Sequence, residues 1–362
     1  MRALSQAVPS PGQRGVDMAT GEPHKQEAAT LEAVAAATGV SRATVSRVVN
    51  GNHRVSAETR RAVELAVKRL GYVPNRAARS LVTRRTDSIG LVIPEPTTRL
   101  FGDPWFPVVL RGISKAFGAR GLQLVLLMPQ SGAEDERLEQ YVAAGHVDGV
   151  LLFSLHGDHP LPQRLMARGI PTVVSGQPPR GAGVAFVDAD NRNGAASAVA
   201  HLLDRGCRRV ATVSGQADLP AARHRLEGYR DALEAAGRPI DPSLEEDGDF
   251  TSEGAARAMR LLLERHPDLD GVFVASDWMA VAVLQVLQEA GRHVPEDVSV
   301  VGFDDQPIAR TAKPPLTTVR QPVDEMTDEM VRLLTEQINS RDHLPRHVIF
   351  PTQLIVRESS GG

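Results

Sequence analysis

Residues 30–50 read TLEAVAAATGVSRATVSRVVN, and this stretch decides how the front of the chain folds. Leu31, Val34 and Ala35 recur at helical spacing on one face, and the pattern stops at Gly39, which enters a left-handed turn without steric cost. A second run begins after Ser41, a natural N-cap, with Val45, Val48 and Val49 as its apolar face, and a third spans roughly Ala57 to Leu70. Ala35 is small enough for the first two helices to cross closely, while Val40, Val45 and Val48 hold the second at a fixed angle. That is the spacing of a helix-turn-helix, whose second helix enters the major groove of DNA with its N-terminal residues at base edges.

On that reading Arg42 and Arg47 suit guanine edges, with Ala43 beside Arg42 on the leading turn. Thr30, Thr44, Ser46, Asn50, Arg54, Ser56 and Thr59 suit phosphates, which set register without reading sequence. Ser41 and Ser56 fit plain helix caps equally well, and Thr44 fits a solvent-facing position.

Charge divides along the same boundary. Residues 29–86 carry 11 Lys/Arg against 3 Asp/Glu, whereas from Asp87 onward 27 basic residues face 38 acidic ones, within an overall net charge of −3. A small basic module on an acidic remainder is expected of a chain that meets polyanionic phosphate at one end. Residues 1–28, rich in Pro, Gly, Ser and Gln, have no apolar periodicity and read as a disordered leader. No apolar run approaches a membrane span and no export signature precedes the helices, so a cytoplasmic protein with no membrane partner is expected. The single Cys207 excludes an intrachain disulfide and any multi-cysteine metal site.

From Ser88 the pattern changes to apolar runs alternating with amphipathic helices: IGLVIP, LQLVLLM, VDGVLLF, IPTVVS, VAFVDAD, RRVATVSG, DGVFVAS and VSVVGFDD. Such alternation predicts βαβ units and parallel sheets, and their number exceeds one doubly wound sheet. Two α/β subdomains with a ligand cleft between them, at the carboxyl ends of the strands, are expected.

Several stretches in order carry a wider resemblance: TLEAVAAATGVSRATVSRVVNGNHRVSAETR, LGYVPNRAARSLVTRRTDSIGLVIPE, VDADNRNGAASAVAHLLDRGCRRVATVSG, ARHRLEGYRDAL, GVFVASDWMA, VSVVGFDDQPIA and PPLTTVRQP. From Ala29 to about Ser359 the chain resembles the LacI/GalR family of transcriptional repressors. Through IPEP, TTRLFGDPWF and VRQPVDEM it looks most similar to the members that respond to cellobiose and other β-glucosides.

The resemblance implies a helix-turn-helix DNA-binding domain at 29–74, a hinge helix and linker at 75–87, and a periplasmic-binding-protein-like sensor core of two α/β subdomains at 88–359. It also implies a homodimer on a palindromic operator, with a small sugar as effector. In the hinge, Asn75 is the cap, Ala78 permits close approach of two helices, and Leu81 matches a wedge pushed between base steps. A seven-residue helix cannot hold itself together alone, which agrees with a hinge that orders on DNA.

For the effector, the resemblance assigns Arg225 and Asp304 to hydroxyl recognition and Phe250 to stacking on a sugar ring, with Ser276 and Asp277 at the mouth of a strand. Phe101, Trp105 and Phe106 cluster before a helix in a chain with only 4% aromatic residues and supply a second wall. No G-x-S-x-G, Walker A, H-E-x-x-H or G-x-G-x-x-G motif occurs, and the 11 His lack ligand spacing, so no enzyme, metal or cofactor is expected. The resemblance leaves the effector's identity and sign open, since a small molecule either releases such a regulator from DNA or tightens it there, and two rivals stay open from the residues themselves. A transport binding protein would have no use for Arg42, Arg47 or Leu81, and a carbohydrate-active enzyme would turn over its sugar.

Overall fold

In the computed structural model Thr30 accepts a hydrogen bond from the Ala33 amide at 3.2 Å and so caps α1 (Leu31–Thr38), which Gly39 ends with φ at +69°. Two further helices follow, α2 (Arg42–Val49) and α3 (Ala57–Leu70). Val34, Val45 and Val63 are fully buried between the three, with Val48 and Ala66 nearly so and Leu31, Ala35 and Val40 packed around them. Each buried valine is worth about 1.5–3 kcal/mol.

The structure describes residues 29–49, 55–73, 85–179, 181–340 and 345–361. The expected leader at 1–28, together with Asn50, Arg54, Asn75, Ala78 and Leu81, lies outside the described residues. The chain divides into two compact units, 1–79 and 80–362.

The second unit begins with strands β1 (Ser88–Val92), β2 (Gln123–Leu127), β3 (Gly149–Leu152), β4 (Thr172–Ser175) and β5 (Ala185–Ala189). It continues with β6 (Val210–Ser214), β7 (Glu245–Asp247), β8 (Gly271–Val274), β9 (Ser299–Asp304) and β10 (Thr317–Arg320), then β11 (His347–Phe350) and β12 (Gln353–Ile355). They form two six-stranded sheets, ordered β11-β5-β4-β3-β1-β2 and β12-β10-β9-β8-β6-β7. Every pairing is parallel except β10 with β12. The central strands β3, β8 and β9 are buried at every position, as parallel strands covered on both faces must be.

The crossover helices, in chain order, are α4 (Thr97–Gly102), α5 (Trp105–Arg120), α6 (Gly132–Ala143), α7 (Leu161–Ala167), α8 (Asn191–Asp204), α9 (Pro220–Ala235), α10 (Ser252–Arg265), α11 (Asp277–Glu289), α12 (Pro307–Thr311) and α13 (Val323–Asn339). The chain passes between the sheets three times: from β5 into α8, from β10 into α13, and from β11 to β12. Ala195, Ala198 and Val199 of α8 pack with Phe273 and Phe303 of the second sheet, whereas Met330, Val331 and Leu334 of α13 pack with Ile89 and Leu151 of the first. Two lobes joined by three strands of chain leave a cleft between the carboxyl ends of both sheets.

Candidate functional site

On α2, Val45 and Val48 point into the small core while Arg42, Ala43 and Arg47 are exposed. Thr44 and Ser46 are half-buried at the boundary. The Ser41 hydroxyl accepts from the Thr44 amide at 3.2 Å and lies 2.9 Å from the Thr44 hydroxyl. Ser56 caps α3 in the same way, accepting from the Thr59 amide at 3.2 Å. Arg42 pairs with Glu32 at 2.7 Å, but the two side chains are 69% and 62% exposed, so the pair is worth about 0–1 kcal/mol and yields readily to a phosphate or a base.

The wall of the second unit's cleft brings together Arg225, Asp304, Phe250, Ser276, Trp105 and Phe106. Arg225 lies on α9 and is buried. Its Nε donates to Asn191 Oδ1 at 2.8 Å, its Nη1 donates to the Ala275 carbonyl at 2.5 Å and lies 3.3 Å from Asp304 Oδ1, and the guanidinium covers the Phe303 ring at 3.8 Å. Asp304, the last residue of β9, accepts from Gln321 at 2.6 Å and from Gln306 at 3.2 Å. Burial pushes its carboxyl up to about 6 against the pull of Arg225, and burial draws the Arg225 guanidinium below its ordinary value against the pull of Asp304. Desolvation thus outweighs attraction in this pair.

Phe250 stands over Gly215, where a Cβ would lie 2.0 Å from the ring, so only glycine lets the ring seat there. The Arg99 guanidinium is 5.5 Å from the centroid of the same ring. Opposite, Trp105 meets Phe106 edge to face at 5.2 Å. Ser276 caps α11, accepting from the Met279 amide at 3.2 Å. Among the described residues, all but one of the non-glycine residues with positive φ lie at these strand ends: Ser154 after β3, Asp249 and Phe250 after β7, and Asp304 and Asp305 at the end of β9, with Asp87 before β1 the exception. Strained backbone of this kind persists where the surroundings enforce a function.

Two expected cleft residues stand elsewhere. Phe101 is 67% exposed and outside the cleft wall, because on α4 the neighbouring Leu100 takes the inward position and one helical step turns Phe101 away. Asp277 is fully buried and outside the wall too. Its carboxylate accepts from the Thr318 hydroxyl at 2.5 Å and the Gln306 amide at 2.7 Å, fastening α11 to the β9–β10 edge, and burial with Asp304 nearby raises it well above the usual carboxylate range.

The sequence reading missed Asp188, Asn191, Gln321, Arg99 and Asp103, all in the cleft wall. Asp188 accepts from the Gln177 and Ala189 amides at 3.0 and 2.8 Å and from Asn191 at 3.0 Å, and burial pushes it up to about 6. Asp188, Asn191 and Gln321 are polar residues at or just past the carboxyl ends of β5 and β10, a signal that the sheet rule supplies. Arg99 and Asp103 sit in an aperiodic stretch that offers none. Burial raises the Asp103 carboxyl above its ordinary value.

Away from the crossovers the lobes touch directly. Arg99 Nη1 donates to Glu95 at 3.1 Å and to Gln216 at 2.7 Å, and the Gly157 amide donates to the Asp218 carbonyl at 2.9 Å. The Arg99 Nε is buried without a hydrogen-bond partner. Among the described residues no cluster of His, Cys, Asp or Glu could hold a metal ion, and no helix is long and apolar enough to cross a membrane.

Residues 30–75 match the model for bacterial regulatory proteins of the lacI family, and residues 199–360 match a periplasmic binding protein-like domain. The chain is 51% identical over 333 residues to the HTH-type transcriptional regulator CelR of Thermobifida fusca, covering 91% of this chain and 98% of that one. It is 35% identical to the ribose operon repressor of Escherichia coli (strain K12), over 86% of this chain and 93% of that one. Among solved structures, a transcriptional regulator CelR–cellobiose complex superposes with a TM-score of 0.73 at 48% identity, over 91% of this chain and 99% of that one. A lac repressor dimer bound to operator and the anti-inducer ONPF superposes at 0.79 with 26% identity, over 92% and 99%. A helix-turn-helix front and a two-lobed α/β core, matched nearly end to end by these relatives, make this chain a transcriptional regulator of the LacI family.

Proposed function

We propose that the protein is a cytoplasmic, homodimeric repressor of carbohydrate-utilisation genes that leaves a palindromic operator when cellobiose or a related β-glucoside enters the cleft. The observation that carries the reading is the cleft wall itself. A buried Arg225–Asp304 pair supplies planar donors and acceptors for hydroxyls, and Phe250 and Trp105 supply apolar faces for a pyranose ring. The 48% identity to a regulator solved with cellobiose supports the same ligand class.

On DNA, a two-fold protein matches a two-fold site, with α2 of each copy in the major groove, Arg42 and Arg47 at base edges, and Thr30, Ser41, Thr44, Ser46, Ser56 and Thr59 against the backbone. Asn75, Ala78 and Leu81 complete the contact in the minor groove. A sugar that binds the released state about 100-fold better than the operator-bound state shifts the balance by about 2.7 kcal/mol, an ordinary allosteric coupling. The chain binds its sugar without transforming it, since both oxygens of Asp304 are engaged by Arg225 and two glutamine amides rather than held free for proton transfer. Fluorescence anisotropy on a palindromic promoter fragment tests the reading: tight binding without sugar and release with cellobiose are expected, and indifference to every β-glucoside would defeat it.

A further inference from the structure

The cleft continues past its own wall. A small side compartment adjoins it, and Leu155, Ser175, Gly176 and Pro220 line both. The far wall of that compartment, Gln177, Pro178 and Pro179, also lines an open crevice on the outside. The compartment lies between the segments that follow β3 and β4, and it meets the crevice through the segment after β4, the crevice being lined otherwise mainly by the start of α8 and by α9.

The chemistry of the compartment limits its occupant. Leu155, Pro162, Pro178 and Pro220 give rigid apolar walls, while Gln163 and Gln177 bring two carboxamides whose side chains make no hydrogen bond among the described residues. The wall contains no carboxylate, lysine or arginine, and its one titratable side chain, His159, lies 3.5 Å from Asp135. An anion or a cation would find no counter-charge there, and a purely apolar chain would cover the half-buried Gln177 carboxamide without a partner, while Gln163 stays exposed at the rim. A neutral unit with apolar faces and hydroxyl edges satisfies every part of the wall.

We infer that the site takes a linear oligosaccharide longer than a disaccharide, with its end units in the cleft and the following unit in the compartment, aimed at the open crevice. This rests on the sugar reading above and extends it to chain length. Gln177 provides the test because it lines compartment and crevice but not the cleft, and its backbone bond to Asp188 survives substitution. Calorimetric titration of the full-length protein with cellobiose and cellotriose compares wild type, Gln177→Trp and Gln163→Ala. Wild type should bind cellotriose at least as tightly as cellobiose; Gln177→Trp should weaken cellotriose about tenfold or more and Gln163→Ala about threefold, with cellobiose changed less than about twofold in either. Intact cellobiose binding also reports that each variant is folded. If wild type binds cellobiose but rejects cellotriose, or if Gln177→Trp weakens both alike, the longer-chain inference is overturned and the disaccharide reading stands. If neither sugar binds wild type, both are lost.

Discussion

His156 and Asp218 face each other across the cleft, Nδ1 to Oδ2 at 3.0 Å, while the other ring nitrogen of His156 lies 3.1 Å from the buried Glu95. His156 follows β3 in one lobe and Asp218 follows β6 in the other, so one imidazole fastens the two lobes on the side away from the crossovers. Its pKa is raised, chiefly by the hydrogen bond to Glu95, against the opposing effect of burial. A histidine raised in the folded state contributes stability that is complete below its ordinary value near 6.5 and is lost as pH climbs through the higher folded value. The groups facing it are Glu95 and Asp218, with Arg99 on the far side of Glu95.

Replacing this clasp should therefore matter more in acid than in base. Relative to His156→Gln, wild type should be more stable by an amount on the order of 1 kcal/mol at pH 6, and the margin should shrink by pH 8.5. Thermal unfolding of both proteins across that range is the check, and a margin independent of pH would contradict the clasp.

Removing Arg225 leaves Asp304 buried without its counter-charge, so Arg225→Met should cost about 3–5 kcal/mol near neutral pH along with sugar binding. Burial pushes the Asp304 carboxyl up to about 6 even against the pull of Arg225, so without Arg225 it is pushed higher still, and the cost should fall as the pH drops toward 6 and level off below it. Arg225→Met combined with Asp304→Asn should recover part of the loss, and urea unfolding of the double-mutant cycle measures it. Additive losses would mean that the pair is not coupled.

At Gly215 the contact with Phe250 makes a single methyl group consequential. Gly215→Ala must push the Phe250 ring off its seat, at a stability cost of about 1–3 kcal/mol, and sugar affinity should fall about tenfold or more. Unchanged affinity would remove Phe250 from the recognition surface.

Much of this arrangement was legible in the residues. The central strands stand out as apolar runs because both their faces are covered, and the helix-turn-helix declares itself through Gly39 and its valines. Three of the four edge strands do not: β7 is Glu-Glu-Asp, and β11 (HVIF) and β12 (QLI) carry apolar stretches of only three and two residues that are partly exposed, too short to stand out. Arg225, Asp304 and Phe250 follow from the resemblance, but side-chain direction does not, which is why Phe101 faces solvent and Asp277 serves an internal bond. Asp188, Asn191 and Gln321 stand at or just past the carboxyl ends of β5 and β10, where the sheet rule points, but which of the polar residues there turn into the cleft is again a matter of side-chain direction.

On the DNA side, Arg47→Ala should cost about 1–3 kcal/mol on the cognate operator and relax preference at one base pair, with little change on random DNA. Glu32→Gln, which frees Arg42 from its exposed pair, should leave operator affinity equal or higher. Binding isotherms on operator variants distinguish the two, and a uniform loss across all sequences for Arg47→Ala would reassign it to a phosphate.

The central claim is that sugar and operator compete through the conformation of one molecule, and reciprocity tests it most directly. Cellobiose affinity should be measured by calorimetry on the free protein and again with operator in saturating excess. The account predicts that the operator weakens cellobiose by the same factor by which cellobiose weakens the operator, about 100-fold if the coupling is of ordinary size. Equal cellobiose affinity in the two states would contradict it.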